Sequence, residues 1–374
     1  MIQVQEVKTK KDLKKFVEFP IGLYKNCPYY VPPIAQDEMD NFTKEKNPAY
    51  EFCETRLFIA KRDGKIVGRV AGLISHAYIK KVGRQIMRFT RFDVIDDLEV
   101  SRALLDEVKR WAIERNMDEI IGPIGFTDID KQGMLVGGYD EMNLSLTIYN
   151  YEYYNRHLEA LGFAKDVDWV EYQVKLPKEV DPRVEKLAEI VSRRYGYHRI
   201  NFKNRKKLYP YAYEAFKVIN EAFAKLYGTV FLTTPIIEKS VNEYVPLVNL
   251  DYVIVIANKK EEVIGFGLCL PSIAAALKKS KGHLFPFGIL RMLHALKHSK
   301  ILEMYFIAVK PEYQNMGVNA LIISEMVKAG IRNKIEWAET GPELELNQQV
   351  QDQWKAFDAR QHRRRRCYIH HLSK

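Results

Sequence analysis

Two runs of β-forming residues, 56–60 and 66–74, flank Asp63-Gly64, a dipeptide that favours the tight turn of a hairpin. A second pair, 252–257 and 263–270, repeats the arrangement around Lys259 to Glu262. Ile59-Ala60 and Ile66-Val67-Gly68 match Ile256-Ala257 and Val263-Ile264-Gly265, each at an offset of 197 positions (256 − 59 and 265 − 68). Asn150 and Asn347 keep that offset, and Leu158 and Trp354 open similarly spaced segments at an offset of 196. A nearly constant offset over four landmarks indicates an internal duplication. It predicts two similar domains, 1–178 and 179–374, with the joint between Leu176 and Arg183, where Pro177 and Pro182 interrupt the pattern and a helical run opens at Val184.

In the second half the pattern predicts a helix over 210–226, the hairpin, a lysine-rich insertion through Lys300, and a strand over 301–309. A helix over 318–331, a short strand near 336–339, a helix over 347–360 and a strand over 365–370 complete it. This order describes a mixed α/β (α+β) layer, a mostly antiparallel sheet flanked by helices in each half, and not a doubly wound sheet.

The 374 residues are 47% hydrophobic and 28% charged, the balance of a globular chain able to bury a sizeable core. The first twelve residues lack the apolar stretch of a secretory signal, and no segment is long and apolar enough to span a membrane. Cys27, Cys53, Cys269 and Cys367 are scattered without a paired motif. A reducing cytoplasm is the expected compartment, and the reading calls for no metal. The net charge of +10 suits an anionic partner: a nucleic acid, membrane headgroups or a phosphorylated cofactor.

The segment that narrows this choice runs from Glu303 to Leu321, EMYFIAVKPEYQNMGVNAL, a strand followed by a proline-led loop and an apolar helix. It resembles the acyl-CoA motif of the GNAT acetyltransferases, in which a strand ending in Val leads through Pro-Glu-Tyr into [QR]xxGx[GA]. Val309, Gln314 and Gly317 fit this pattern without a gap, and Asn319 stands where Gly or Ala is usual. The chemistry agrees, because a glycine at a helix start lets backbone N–H groups approach a pyrophosphate, and the helix dipole favours its charge.

The resemblance covers the second half and implies an acyl-CoA-dependent N-acyltransferase, with acetyl-CoA, or another acyl-CoA, as donor and an amine as acceptor. It implies donor contacts from Ile307, Ala308 and Val309 on the strand, and from Gln314, Asn315, Met316, Gly317, Val318 and Asn319 on the loop and helix start. Asn347 and Trp354 would contact the donor further on. Asn347 also reads as a helix N-cap.

Attack by an amine requires that it lose a proton, so a base is needed. Glu303 resembles the family's base glutamate, and strict alternation would put Glu303, Tyr305, Ile307 and Val309 on one strand face. A strand-end charge held by a neighbouring lysine is its alternative reading. The family's usual acid is a tyrosine seven residues after the Asn, where this chain has Trp354, whose indole carries no acidic proton. Tyr305, Tyr313 or water would have to take over that task.

The insertion over 272–300 mixes Phe285, Phe287, Ile289, Leu290, Met292, Leu293 and Leu296 with Lys278, Lys279, Lys281, Arg291 and Lys297. It reads as a basic amphipathic lid over the acceptor or acyl site, with peripheral membrane contact as the alternative. The arginines 363–366 read as a solvated strand edge or a contact for phosphate or nucleic acid.

The first half reads as a degenerate copy. Its strand over 91–94 leads through Asp96-Asp97-Leu98-Glu99 into a helix without a glycine, which puts negative charge where a phosphate would sit. Gly122-Pro123 and the segment 133–139 suggest a loop that lines an acceptor pocket or simply turns. Two further functions stay open: a non-catalytic acyl-CoA sensor or interaction module, and a transferase that takes its acyl group from aminoacyl-tRNA. Sequence-specific nucleic-acid binding has only charge in its favour.

Overall fold

The computed structural model describes residues 1–372. Its strands, in chain order, are β1 (Ile2–Glu6), β2 (Cys53–Arg62), β3 (Lys65–Ser75), β4 (Ile86–Val94), β5 (Glu119–Gly122), β6 (Met134–Gly137) and β7 (Ala164–Lys175). The second half adds β8 (His198–Arg199), β9 (Val253–Ala257), β10 (Val263–Pro271), β11 (Ile301–Val309), β12 (Trp337–Thr340), β13 (Glu343–Leu344) and β14 (Ala359–His371). Both expected hairpins are present as β2–β3 and β9–β10.

The hydrogen bonding runs β1-β2-β3-β4-β5-β14-β7-β12-β11-β10-β9-β8, with β6 on β14 and β13 on β7. This order is a palindrome. Each half supplies five strands in the same sequence, with one parallel pair apiece, β4–β5 and β11–β12. The sheet is thus mixed and mostly antiparallel, with helices against it, as the pattern predicts. What the pattern does not predict is that the halves exchange their last strands. β14 pairs with β5 of the first half, β7 pairs with β12 of the second, and the two run side by side at the centre.

The halves also share apolar core. Leu57, Ile59 and Leu73 of the first pack in one cluster with Phe216, Ile219 and Phe266 of the second. Burial of side chains this size stabilises by roughly 1.5–3 kcal/mol each, so the contact between halves is part of the fold.

Several element boundaries differ from the pattern. The helix expected over 210–226 spans Arg205–Ala222, because Asn204 caps it by accepting from the Lys207 N–H at 3.2 Å. The insertion forms two helices, Ala274–Ser280 and Gly288–His298. The helix expected over 347–360 is one short turn, Gln348–Asp352, with a tighter turn Gln353–Ala356. It stops there because Trp354 is buried and bonded to Glu343, and because the chain from Ala359 enters the ladder with β7. The last strand therefore starts six residues before the predicted 365.

Candidate active site

β11 pairs with β12 only from Ile301↔Trp337 to Met304↔Thr340. Past that point β11 continues to Val309, while the partner chain turns away through Gly341-Pro342 into β13 on β7. The two strands splay, and the wedge between them is a cavity of about 240 Å³ walled by Tyr305, Ile307, Glu343, Asn347, Gln353 and Trp354. Along this edge β11 has no strand partner, so an extended arm could lie there as an added strand.

A bulge sits at the mouth of the wedge. Leu268 faces Phe306 while the next residue, Cys269, faces Met304, which leaves Tyr305 as the extra residue. The expected single face is therefore broken. Glu303 and Tyr305 project to one side, where they meet Ser145, whereas Ile307 and Val309 pack in the core cluster on the other. Ala308 is buried opposite Phe266, and the Val309 carbonyl accepts from Gln314 Nε2 at 3.2 Å.

Glu303 is fully buried, and no lysine among the described residues pairs with it. Its Oε2 accepts from the Ser145 hydroxyl at 2.6 Å and the Ser145 N–H at 3.2 Å, and its Oε1 accepts from the Ser272 hydroxyl at 2.6 Å. The Ser145 oxygen lies 3.0 Å from the Tyr305 hydroxyl. Burial pushes the Glu303 carboxyl above its ordinary range, aided by Glu339 and opposed by the serine hydrogen bonds. The carboxyl does not reach a cavity wall; its way out is through Ser145 and Tyr305. Ser145 belongs to the first half, and nothing in its sequence context marks it for this role.

Beyond Tyr305 and Ser145 opens a larger groove of about 580 Å³. Tyr305, Leu146, Tyr244, Ile129 and Asp130 line both spaces, so the two meet at the Tyr305 ring. The groove's far wall is apolar, with Leu277, Ile289, Met292 and Leu296 from the insertion helices. Its polar part carries Asp37, Glu38, Asp130 and Glu243 against Lys131 and Lys239. Asp37 is raised to about 6 by burial and the nearby Glu243, while Glu38 and Asp130 bind Arg91. The segment after Gly122-Pro123 does line this groove, through Phe126, Ile129 and Asp130.

At the other end of the wedge Gly317, with φ +82°, starts the Val318–Arg332 helix without any side-chain cap. That leaves first-turn N–H groups for an anion, the arrangement a pyrophosphate suits. A Cβ at Gly317 would come within 2.6 Å of Val191 in the Pro182–Tyr195 helix, so glycine is required by packing as well as by backbone angle. Asn319 does not face this opening: its Nδ2 donates to Gln353 Oε1 at 2.6 Å and ties the helix start to the 353–356 turn. Asn315, with φ +62°, bonds Gln349. Met316 receives the Tyr197 hydroxyl at 3.8 Å, and Val318 is buried against β10. Tyr313 is occupied elsewhere, with its hydroxyl accepting from Asn258 Nδ2 at 3.0 Å.

Trp354 is buried at the base of the wedge, and its Nε1 donates to Glu343 Oε1 at 2.8 Å. The other oxygen, Glu343 Oε2, is buried without a hydrogen bond. Burial lifts this carboxyl to about 8, against the opposing Trp354 bond. Glu343 thus lines the wedge as a carboxyl that burial makes a weaker acid than usual, and the motif gave no sign of it. Asn347 lines the same wedge and caps its short helix with no side-chain hydrogen bond, so the capping reading fails.

The equivalent place in the first half is closed. Tyr153 donates to the Val94 carbonyl at 2.6 Å, and the Val94 N–H donates to Tyr154 at 3.0 Å, so the strand-end backbone is already satisfied. Asp97 accepts from the Glu99 and Val100 N–H groups at 3.0 and 3.4 Å and fills the helix start with its own carboxylate. The arginine run is likewise not a plain solvated edge: Arg364 and Arg366 are partly exposed and pair with Asp168. Arg363 and Arg365 are buried and share Glu171, with Arg363 also 2.6 Å from Glu339. Arg363 reaches the Met142 carbonyl, and Arg365 the Ile148 carbonyl and Asn143, which clamps the loop carrying Ser145.

No known family profile matches the chain. Among curated proteins it is 26% identical over 366 residues to Protein YghO of Escherichia coli (strain K12), covering 96% of this chain and 93% of that protein. It is 24% identical over 340 residues to the bacterial ceramide synthase of Caulobacter vibrioides (strain NA1000 / CB15N), covering 88% and 85%. Among solved structures it resembles a tandem GNAT protein from the clavulanic acid biosynthesis pathway, with a TM-score of 0.58 and 11% identity over 100% of this chain and 99% of that one. The splayed strands, the exchanged halves and this likeness agree: the chain has a tandem GNAT fold.

Proposed function

We propose that this chain is an acyl-CoA-dependent N-acyltransferase in which the second half holds the donor and both halves build the reaction site. The wedge between β11 and β12 takes the pantetheine arm, and the uncapped start of the Val318–Arg332 helix takes the pyrophosphate. The amine enters from the larger groove and meets the thioester at Tyr305.

The observation that carries this reading is the hydrogen-bonded line from the Tyr305 hydroxyl through Ser145 to Glu303. With Ser145 donating to the carboxylate, Tyr305 donates to Ser145 and keeps an oxygen lone pair for the incoming amine. As nitrogen bonds to the thioester carbon, its proton passes to Tyr305 while the Tyr305 and Ser145 protons each move one place, and Glu303 ends protonated. The C–S bond then breaks, and Glu343 gives its proton to the leaving thiolate. Afterwards Glu303 returns its proton to solvent and Glu343 regains one. Amide and CoA thiol are the products.

The apolar wall of the groove supports a long hydrocarbon chain on the acceptor or on the acyl group, and the acidic patch at Asp37 and Glu243 supports an amine. The name of one relative, bacterial ceramide synthase, is in keeping with such a chain. Acetyl-CoA remains the simplest donor to try beside longer acyl-CoAs. The uncapped helix start at Gly317 favours a CoA donor over aminoacyl-tRNA.

The test is single-turnover transfer from labelled acyl-CoAs of increasing chain length to a panel of alkylamines. The unmodified chain should transfer, and Glu303→Gln should slow transfer by roughly 10² to 10⁴ with little change in acyl-CoA affinity. Acyl-CoA binding without transfer to any amine would leave a sensor in place of an enzyme.

A further inference from the structure

The Gly288–His298 helix carries a broad apolar stripe that is only partly covered, with exposed Arg291, His294 and His298 on its far side. Ile289, Met292 and Leu296 turn inward to the groove. Leu290 and Leu293, at positions i and i+3 on the adjoining flank of the stripe, are 62% and 50% exposed, and Lys297 continues that flank one turn on. The preceding loop adds Phe285 and Phe287, exposed by 83% and 64%. A cluster of exposed large apolar side chains beside a covered stripe marks an interaction surface.

Charge says what covers it. From Ser272 to Lys300 the chain has five lysines and one arginine (Lys278, Lys279, Lys281, Arg291, Lys297, Lys300) and no carboxylate. None of the six forms an ion pair among the described residues. A second copy of the same face would bring like charges together. An anionic lipid surface offers the opposite charge at its headgroups and hydrocarbon just beneath, which matches lysines flanking exposed Phe and Leu. No helix of the described residues is long and apolar enough to cross a membrane, so contact would be peripheral.

We infer that the 284–298 segment docks the protein on anionic phospholipid bilayers, seating Phe285, Phe287, Leu290 and Leu293 at the headgroup–acyl boundary. The adjoining part of the same apolar stripe walls the groove, so a docked chain presents that groove next to the bilayer. The docking itself stands without the acyl-transfer reading, since it is measured without turnover.

The experiment is flotation of the full chain with phosphatidylcholine vesicles and with phosphatidylcholine vesicles containing phosphatidylglycerol. Binding should be at least about tenfold stronger to the anionic vesicles and fall as salt rises. The triple variant Phe285→Ser/Phe287→Ser/Leu290→Ser, all exposed positions, should keep its circular dichroism and acyl-CoA affinity while losing about tenfold or more in partitioning. Equal binding to both vesicle types, or an unchanged triple variant, overturns the inference. So does light scattering that shows a dimer which the triple variant converts to monomer, since the face would then belong to a second copy.

Discussion

Glu303 and Glu343 are both carboxyls withdrawn from water, and their partners differ. Glu303 meets two serine hydroxyls and one N–H, a set that favours the ionised form, whereas Glu343 is held by the Trp354 indole and leaves Oε2 without a hydrogen bond. The first is equipped to receive a proton and the second to give one. Transfer should therefore fail as pH falls through the raised pKa of Glu303 and again as pH rises through about 8, where Glu343 ionises. Glu343→Gln cannot donate in this way; its kcat should drop by roughly 10² or more, and the alkaline limb should vanish from the pH–rate profile. An alkaline limb that survives in Glu343→Gln assigns the acid elsewhere. The motif pointed to Glu303 as the base and offered Tyr305 only as a stand-in for the missing acid, a different role from the one proposed above. Ser145 and Glu343 could not be seen there, because Ser145 arrives from 158 residues away and Glu343 is acidified by burial. Gly317 was legible, though replacing it would clash with Val191 and so would not report on phosphate alone.

Hairpins and the Val318–Arg332 helix could be read from local pattern, since turn residues and apolar spacing act within a few positions. The bulge at Tyr305 and the strand exchange could not, because both depend on which strand lies alongside. Four arginines in a row suggest a solvated edge by composition. They are instead the charged seam of the exchanged strand, where Arg363 and Arg365 both meet Glu171. Removing one partner of such a buried set leaves an uncompensated charge, so Arg365→Ala should destabilise the protein by about 3–5 kcal/mol in urea unfolding. In variant protein that remains folded, the released loop should move Ser145 off Glu303 and lower kcat more than acyl-CoA affinity. A loss under about 1 kcal/mol would show that the seam is not needed to hold the exchanged strand.

Across the whole molecule the two halves keep the same strand order yet differ at the place where a donor would enter. One strand end opens into a wedge with an uncapped helix start; the other is closed by Tyr153, Tyr154 and Asp97. Calorimetry should accordingly find one acyl-CoA per chain, and two equivalent sites would mean that the tyrosine closure opens. The closed half contributes through Ser145, which ties Glu303 and Tyr305 of the other half to the groove. Ser145→Ala measures that contribution most directly, because it removes one oxygen from the proton path and touches no part of the proposed donor site. Acyl-CoA affinity should stay within about twofold while single-turnover transfer slows by roughly 10² or more. Transfer at the unmodified rate in a folded Ser145→Ala protein would contradict a reaction site built from both halves.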